Sequence, residues 1–599
     1  MTTDQILEKL KENYSQDLVC NNIFMLWSNL ISDDLPSNLS IVQRIDSKKI
    51  IDLFERIKKG DLSELFNIDD ESGLIKELNL SSSQTPPYIY NLGAEKIEYL
   101  VYKHNNKFRK ITIPNFIFFI VFIYNTIIVY EELFKELYLI RGKDLNEAIK
   151  YSTSPIIDPI GKFEVIEGFY ETIHLEYMKG VIHSEQTKSI LFDYFKLEKL
   201  KKEGYNKFIL KTDIENFYNN IYTHQLSKLK KLEPYASLDA SITDGYFDFL
   251  DMYNMKINEN QTKGIITGPI SSSISAELLM ITFDYTIHSY LADKNIEYSR
   301  FVDDMFFYSN SKASLEDLNL HVQTLLHNLG LETKFEKTSI RTGFDAEDYI
   351  NIESIHQKFP MLNHEVEDIY NLDYQLFTRL RFYIIELLDS NSVSAVRIIL
   401  TKLKQKINLN QIIVVEDMNI VDPLISFILK MSQVNPELIK HAMKLLEVIV
   451  EKTVNKVRDS VVHKLVNTTL EISKSSPNDT LLEIWLHYII NKHVDASNRE
   501  RNWKDLKEIY EGSEINPLII LSYIKLDEEV IHNDIQEYIV SKYKENTGEV
   551  NINVSISYSK WWIVIIELHN ANSTIFRELF VSKKCDNQLD KLGLFYYIK

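Results

Sequence analysis

The sequence predicts an α+β catalytic unit followed by a large all-α C-terminal region of helical-repeat type. Strand-like runs alternate with long helical segments from about residue 88 to residue 352, a mixture typical of α/β or α+β units. After about residue 363, apolar residues recur at helical spacing in units of roughly 20 residues, without strand signals. The 599 residues also contain only 16 Gly and 13 Pro, which favours helices. No strict repeat period is visible, so an irregular helical bundle is the alternative for this region.

The chain divides into three predicted regions. Residues 1–84 form an N-terminal helical extension of short amphipathic segments, such as SKKIIDLFERIKKG, and end near the loop-like run SSSQTPP. Residues 85–355 hold the α+β unit, and residues 356–599 form the α-helical, HEAT-like domain. Three helix-start signals lie in the last region, each a capping residue before a proline at the first helical position: Asp422-Pro423, Asn435-Pro436 and Asn516-Pro517.

Charge and cysteine content exclude several classes of protein. The chain has 86 acidic and 67 basic side chains, a net charge of −19, which argues against broad nonspecific binding to duplex DNA. Two cysteines, Cys20 and Cys585, exclude a disulfide framework and a Cys-based zinc site. The N-terminal segment lacks the apolar core of a signal peptide. We therefore expect a cytoplasmic protein.

The segment from Ile111 to Tyr130 is a run of 20 residues without a charge, long enough to span a bilayer. Pro114, Asn115 and Asn125 interrupt it, and Asn is costly in hydrocarbon without a partner. The run therefore predicts a buried helix in a large core, and we expect no association with a membrane.

The run RFVDDMFF contains an acidic doublet, Asp303 and Asp304, flanked by apolar residues. This pattern predicts two short strands joined by a tight turn that carries the aspartates. Adjacent acids in an apolar hairpin repel each other unless a cation neutralises them, and Mg²⁺ prefers such oxygen ligands. An ordinary surface turn is the alternative, because many turns contain two aspartates.

Upstream, the run FILKTDIENFY places Asp213 at the end of a predicted strand, before a helix that opens with two aromatic residues. Asp213 can meet the acidic doublet if the two strands are neighbours in one sheet. Carboxylates that bind two metal ions about 4 Å apart would activate an attacking hydroxyl and stabilise a pyrophosphate leaving group.

Three further segments accompany these acids. GIITGPISSSISAE predicts a Gly-rich turn that leads into a helix of small residues, which allows a nucleotide or template to approach closely. LETKFEKT places Lys337 where it could protonate a leaving pyrophosphate. A basic cluster suited to a triphosphate lies before them: Lys103, Lys107, Arg109 and Lys110. A solvated loop is the alternative for each segment alone.

The order of these five segments is that of the fingers and palm of a reverse transcriptase. The runs TDIENFYNNIYTH, GIITGPISSSISAELLM and YSRFVDD closely resemble the bacterial abortive-infection reverse transcriptases, the AbiK-like group. The resemblance covers roughly residues 85–350. The C-terminal region is helical, as in that family, but it carries no sequence motif that matches the family.

The resemblance implies a role for each matching residue. The implied catalytic residues are Asp213, Asp303, Asp304 and Lys337; the implied metal-binding residues are Asp213, Ile214, Asp303 and Asp304; and the implied nucleotide-binding residues are Arg109, Lys110, Tyr218 as steric gate and Gly268. The implied cofactor is Mg²⁺, with Mn²⁺ as a substitute. The family also implies dNTP substrates, template-independent and protein-primed synthesis, a covalently attached DNA product, a homo-oligomer (trimer or hexamer) and a function in anti-phage defence.

Departures from the family pattern leave alternatives open. Phe301 replaces the commoner Tyr, and Lys334 stands where Asn usually precedes Lys337. A templated reverse transcriptase of retron or intron type is one alternative, and a catalytically silent scaffold that binds a phage protein is another. Arg458 and His463 have the spacing of a HEPN-type ribonuclease, although a surface helix face is the favoured explanation of this single match.

Overall fold

A computed structural model describes most of the chain. The described residues are 34–36, 39, 47–63, 66–78, 94–103, 107–129, 133, 199–238, 240–342, 352–363, 368–415, 417–475, 480–525, 528–547 and 559–571. The amphipathic helices predicted before residue 34 and the loop predicted at 81–87 lie outside these residues.

Within the described residues, ten strands form one four-stranded sheet and three two-stranded ribbons. They are β1 (Phe66–Ile68), β2 (Ile75–Leu78), β3 (Ile97–Lys103), β4 (Lys107–Ile113), β5 (Phe208–Asp213), β6 (Glu297–Phe301), β7 (Asp304–Ser309), β8 (Ser339–Thr342), β9 (Tyr370–Leu372) and β10 (Ile412–Val414).

Helices make up most of the described chain. In the first part they are α1 (Ser47–Lys58), α2 (Phe116–Ile128), α3 (Phe217–Asn220), α4 (Thr223–Lys228), α5 (Ala240–Lys256), α6 (Ile270–Lys294), α7 (Lys312–Asn328) and α8 (Ile352–Lys358). The later ones are α9 (Tyr374–Asp389), α10 (Val393–Asn408), α11 (Met418–Val434), α12 (Ile439–Lys452), α13 (Asn455–Ser475), α14 (Leu481–His493), α15 (Ala496–Ile509), α16 (Pro517–Leu521), α17 (Glu529–Thr547) and α18 (Trp562–Ala571).

The four-stranded sheet has the order β6-β7-β5-β8, and every pairing in it is antiparallel. The two predicted strand runs, KFILKTDI and YSRFVDDMFFYS, are confirmed as β5 and as the β6–β7 hairpin. β5 and β7 are mostly buried because α7 packs against both strands. The buried residues of α7 follow helical spacing, at Leu315, Leu318, Val322 and Leu326. Helix α7 thus covers one face of the sheet across its two central strands.

The uncharged run that begins at Ile111 is buried inside the protein. It forms the end of β4 and then α2, whose 13 residues are almost all buried. Asn125 within α2 accepts a hydrogen bond from the backbone N–H of Ile75 at 2.8 Å and donates one to its carbonyl at 3.0 Å. Its amide is therefore satisfied by β2. Within the described part of the chain, no helix is long and apolar enough to cross a membrane.

The helical region confirms most predicted helices but corrects two details. Asp422-Pro423 does not start a helix: α11 begins at Met418, where the Asp417 side chain accepts from the N–H of Asn419, and Pro423 lies inside it. The helix starts before Pro423 because the Asp417 side chain already satisfies a free backbone N–H of its first turn. The short parallel pair β9–β10 was also not predicted. The Asn516-Pro517 start is confirmed, since Asn516 caps α16.

The helical region also contacts the β3–β4 hairpin directly. Leu100 in β3 forms a parallel bridge with Thr480, and Asn516 donates to the carbonyl of Glu98 at 2.8 Å. At the base of the hairpin, the rings of Phe116 and Trp562 stack with centroids 5.8 Å apart. The two parts of the chain therefore share an interface of backbone hydrogen bonds and apolar packing.

Candidate active site

Three carboxylates converge at one end of the four-stranded sheet. Asp213 is the last residue of β5 and lies directly opposite Asp304, the first residue of β7. Directly opposed residues on antiparallel strands are about 5 Å apart at their Cα atoms. Asp303 lies in the two-residue turn that joins β6 to β7. The structure therefore brings Asp213 together with the Asp303–Asp304 doublet, which begins 90 residues further along the chain.

The turn itself is strained at Val302. Phe301 and Asp304 pair across the hairpin and enclose only Val302 and Asp303. The favoured two-residue turns need a positive φ at their first position, and Val302 adopts φ +57° there. A β-branched residue in this conformation costs of order 1–3 kcal/mol. The strained residue of the hairpin therefore lies directly before the acidic doublet.

Burial and mutual repulsion raise the pKa values of two of these acids. Burial raises the pKa of Asp303 to about 6, and the charges of Asp213 and Asp304 add to the rise. Burial also raises the pKa of Asp304, again with a contribution from Asp213. A nearby cation favours the ionised form of such carboxylates and so offsets their mutual repulsion.

Lys337 supplies one cation to this cluster. Its ammonium forms an ion pair with the carboxylate of Asp213. Burial opposes the charged form of Lys337, but the hydrogen bond to Asp213 and the nearby carboxylates outweigh burial and raise its pKa. Lys337 lies in the 3-10 turn Phe335–Lys337.

Backbone pairing fixes the segment that carries Lys337. The N–H of Lys334 donates to the carbonyl of Asp213 at 2.7 Å, and Ile214 bridges Thr333. The hydroxyls of Thr212 and Thr338 lie 2.9 Å apart. The edge of β5 therefore continues past Asp213 and holds the lysine segment against it.

The donor set of this cluster suits a hard divalent cation, because it consists of carboxylate oxygens. Ile214 could contribute only its backbone carbonyl, since its side chain is apolar and 1% exposed. In the described part of the chain no three His, Cys, Asp or Glu side chains are already arranged to hold a metal ion. The ion pair between Lys337 and Asp213 occupies one carboxylate oxygen of the cluster. A metal ion bound through that oxygen would displace the ammonium.

Tyr218 lies beside the acids, whereas Phe217 packs into the core. Phe217 is 4% exposed, and Tyr218 is half-buried with its hydroxyl 3.2 Å from that of Ser273. Burial raises the pKa of Tyr218 to about 12, and the charges of Asp303 and Arg109 both act on it. The ring of Tyr218 therefore lies close enough to both Asp303 and Arg109 for their charges to act on its hydroxyl.

Gly268 lies where the hairpin crosses the start of α6. The N–H of Thr112 donates to the carbonyl of Thr267 at 2.8 Å. Gly268 has φ +128°, and a Cβ there would come within 2.8 Å of the Ile111 side chain and 3.1 Å of the Thr112 carbonyl. Only glycine allows this close approach. Gly268 therefore allows the hairpin to pack against the start of α6, next to the segment that carries Arg109.

Arg109 and Lys110 do not share a face of the hairpin. Successive residues on a strand point to opposite sides. Lys110 forms an ion pair with Glu98 at 2.8 Å, while the charge of Arg109 acts on Tyr218. The structure thus places Arg109 and Lys110 on opposite faces of the hairpin, with Arg109 near enough to Tyr218 for its charge to act there.

Two other features bear on the sequence analysis. Arg300, Glu277 and Asp284 form a buried ionic network beside the Val302 turn that the sequence analysis did not assign. An arginine in a strand directly before the apolar-flanked acidic turn was the signal that could have found it. Arg458, the HEPN-like arginine, donates to the carbonyls of Val450, Glu451 and Thr453 at the end of α12, as expected for a helix C-cap.

Comparison with known proteins agrees with this site. Residues 140–367 match the family model described as Reverse transcriptase (RNA-dependent DNA polymerase). The chain contains a reverse transcriptase domain. Domains of this family carry out nucleotidyl transfer and generally use divalent metal ions. The matched residues of this reverse transcriptase domain include the three aspartates and Lys337, whereas Arg109 precedes them.

One curated relative is the Retron Ec83 reverse transcriptase of Escherichia coli, 28% identical over 133 residues. The match covers 22% of this chain and 41% of the length of that relative. Among solved structures, the apo telomerase from Candida Tropicalis has 14% identity and a TM-score of 0.29, covering 73% of this chain and 72% of that chain. The telomerase from Candida Tropicalis in complex with a TWJ fragment of telomeric RNA has 14% identity and a TM-score of 0.25. That match covers 70% of this chain and 64% of that chain. These TM-scores are too low to carry an argument about fold.

Proposed function

We propose that this chain is a DNA polymerase of reverse-transcriptase type that transfers deoxynucleotides from dNTPs to a hydroxyl and releases pyrophosphate. The observation that carries the proposal is the cross-strand pairing of Asp213 with Asp304, with Asp303 in the adjoining turn and Lys337 against Asp213. This cluster lies within the reverse transcriptase domain, in an acidic protein with little general attraction for nucleic acid.

Asp213, Asp303 and Asp304, with the backbone carbonyl of Ile214, would hold the divalent cations, Mg²⁺ or Mn²⁺. Bound there, the cations would activate the attacking hydroxyl and neutralise charge on the leaving pyrophosphate. The rigid pairing of β5 with β7 holds two of the carboxylates in fixed register, so little reorganisation is needed on binding.

Lys337 is the proposed proton donor to the leaving pyrophosphate. Its ammonium lies within the acidic cluster, where the neighbouring carboxylates favour the protonated form. Displaced from Asp213, the side chain would remain within reach of the leaving group. It is half-exposed, with 52% of its side chain accessible, and is therefore free to move that short distance.

Arg109 and Tyr218 are the proposed nucleotide contacts. Arg109 offers a planar guanidinium suited to phosphate oxygens. The half-buried ring of Tyr218 presents a flat face beside the acids, where a 2′-hydroxyl on the incoming sugar would meet it. Lys110 was assigned to the same site from the sequence, but its ion pair with Glu98 favours a role in the hairpin.

The finer proposal is template-independent, protein-primed synthesis in abortive-infection defence against phage, with the DNA covalently attached to the protein. The motif spellings around Asp213, Gly268 and Asp303 support it, and with them a homo-oligomer of three or six chains. A templated reverse transcriptase is the second candidate. The similarity to the retron reverse transcriptase favours it, as do the exposed neighbours Arg379 and Phe382 on α9.

One experiment separates these candidates. Purified protein is incubated with Mg²⁺ and each labelled dNTP, with and without an added primer–template, and then boiled in detergent and run on a denaturing gel. Label that migrates with the polypeptide and disappears after protease supports protein priming. Free DNA made only with the primer–template supports the templated candidate. An absence of product in every reaction contradicts polymerase function altogether.

A further inference from the structure

Arg300 is a fully buried charged residue that contacts the turn of the acidic doublet. It lies in β6 with 0% exposure. An unpaired buried guanidinium is very costly, so its partners determine whether the fold tolerates it. Its Nη1 and Nη2 atoms donate to the two carboxylate oxygens of Glu277 at 2.9 and 2.8 Å. Nη2 also donates to Asp284 at 2.6 Å. Both acids are buried on α6.

The same guanidinium reaches the backbone of the turn. Nη1 of Arg300 donates to the carbonyl of Val302 at 2.9 Å. Val302 is the residue with φ +57°, and Asp303 follows it directly. One side chain therefore connects the 25-residue helix α6 to the strained peptide that precedes the acidic doublet.

Resting on the proposed function, we propose that Arg300 is a positioning residue for that reaction: anchored by Glu277 and Asp284, it holds Val302 in the left-handed conformation and so fixes Asp303 against Asp213. Without this hydrogen bond, Val302 would relax towards negative φ, since a β-branched residue disfavours positive φ. The turn would then rotate the carboxylate of Asp303 away from the cluster. Displacements of about 1 Å at a reacting centre cost as much as about 100-fold in rate.

A purely structural role predicts something different. If Arg300 served only to neutralise Glu277 and Asp284, its replacement would lower stability, and nothing done at Val302 would repair activity. Under the positioning role, Val302→Gly restores activity to an Arg300 variant, because glycine adopts positive φ without help. The rescue therefore tests whether Arg300 acts through the conformation of Val302, and not only whether its loss harms the protein.

The variants are Arg300→Lys, Val302→Gly and the double variant, each in the full chain. Lys202→Met is the matched control: Lys202, in the helical segment before β5, is also a buried cation, and it donates to the Tyr298 carbonyl and the Ser299 hydroxyl of β6, away from the turn. We expect Arg300→Lys to lower kcat by about 10- to 100-fold with KM for dNTP changed less than about threefold. Val302→Gly should restore kcat of the double variant to within about threefold of Val302→Gly alone. Combined with Lys202→Met, Val302→Gly should not raise kcat above that of Lys202→Met alone.

Amide hydrogen exchange supplies a readout that does not depend on activity. Arg300→Lys should speed exchange across residues 301–304 by about tenfold or more, with the rest of the sheet unchanged. Lys202→Met should leave exchange at 301–304 as in the wild type. Unchanged exchange in Arg300→Lys, or a double variant no more active than Arg300→Lys, would overturn the positioning role. A wild-type chain without nucleotidyl transfer would instead refute the proposed function, and the exchange rates would still decide the role of Arg300 in the turn.

Discussion

The hydroxyl of Tyr218 lies 3.2 Å from the hydroxyl of Ser273, in the first turn of α6. This contact orients the ring of Tyr218 beside Asp303 while Phe217 fills the core. The hydrogen bond and the ring can therefore be separated by substitution, because Phe keeps the ring and removes the hydroxyl.

Tyr218→Ala should raise ribonucleotide incorporation relative to deoxyribonucleotide incorporation, because the ring no longer excludes the 2′-hydroxyl. The expected change in discrimination corresponds to about 1–3 kcal/mol in the ratio of kcat/KM values. Tyr218→Phe is the control and should retain wild-type selectivity. An unchanged ratio in the Ala variant, with normal use of dNTPs, would assign Tyr218 to packing and leave the gate elsewhere.

Asp213→Asn and Asp303→Asn should each lower kcat by more than about 1,000-fold, since the amide keeps the side-chain volume but loses the charge that a cation requires. Thermal unfolding should show that both variants stay folded. Asp293→Asn, at an exposed position on α6, is the control and should keep wild-type turnover. Removal of divalent cations with a chelator should abolish activity in the wild type. Near-normal incorporation by either active-site variant would refute the metal-dependent mechanism.

Arg109→Met and Lys110→Met should differ although the two residues are adjacent. Arg109→Met should raise KM for dNTP by about tenfold or more through loss of a charged phosphate contact. Lys110→Met should change KM by less than about twofold, because Lys110 is paired with Glu98 on the opposite face. Steady-state kinetics on both variants provides the measurement. Equal losses in the two variants would show that the hairpin binds nucleotide through its net charge.

Stability should decline at acidic pH through His487. Burial lowers the pKa of His487 to about 3, below the ordinary value of 6.5, so the unfolded chain binds the proton more readily. The stability that depends on neutral His487 is complete above about pH 7 and is lost as the pH falls towards 3. Between pH 7.5 and pH 5 the loss is about 2 kcal/mol. Urea unfolding of His487→Gln should show a pH dependence smaller by that amount, whereas exposed His463→Gln should behave as the wild type.

The sequence predicted the acidic cluster because strand ends and turns are local signals. The run FILKTD ends at Asp213 and RFVDDMFF turns at Val302 and Asp303, as the structure confirms. The spacing of Lys337 indicated its segment, but not that its ammonium would reach Asp213. That contact depends on the pairing of Lys334 with Asp213, which is set by tertiary structure.

Other parts of the site could not be predicted because they depend on which side of a strand a residue faces and on partners far along the chain. Lys110 looked equivalent to Arg109 until strand alternation directed it towards Glu98. Arg300 pairs with acids 16 and 23 residues away on a separate helix. In the helical region, Asp417 replaced Asp422 as the start of α11, because caps compete and only the fold selects between them.

The contacts of β3 with Thr480 and Asn516 limit how this chain could be recombined with its relatives. A chimera joined near residue 355 would pair a hairpin from one parent with a helical array from another, and the side chain at position 516 would no longer be matched to the carbonyl of Glu98. Asn516 both caps α16 and bonds the carbonyl of Glu98, so neither half can be exchanged without the other. Shuffled libraries should therefore yield soluble hybrids only where residues 97–113 and the helices from residue 480 onward come from the same parent.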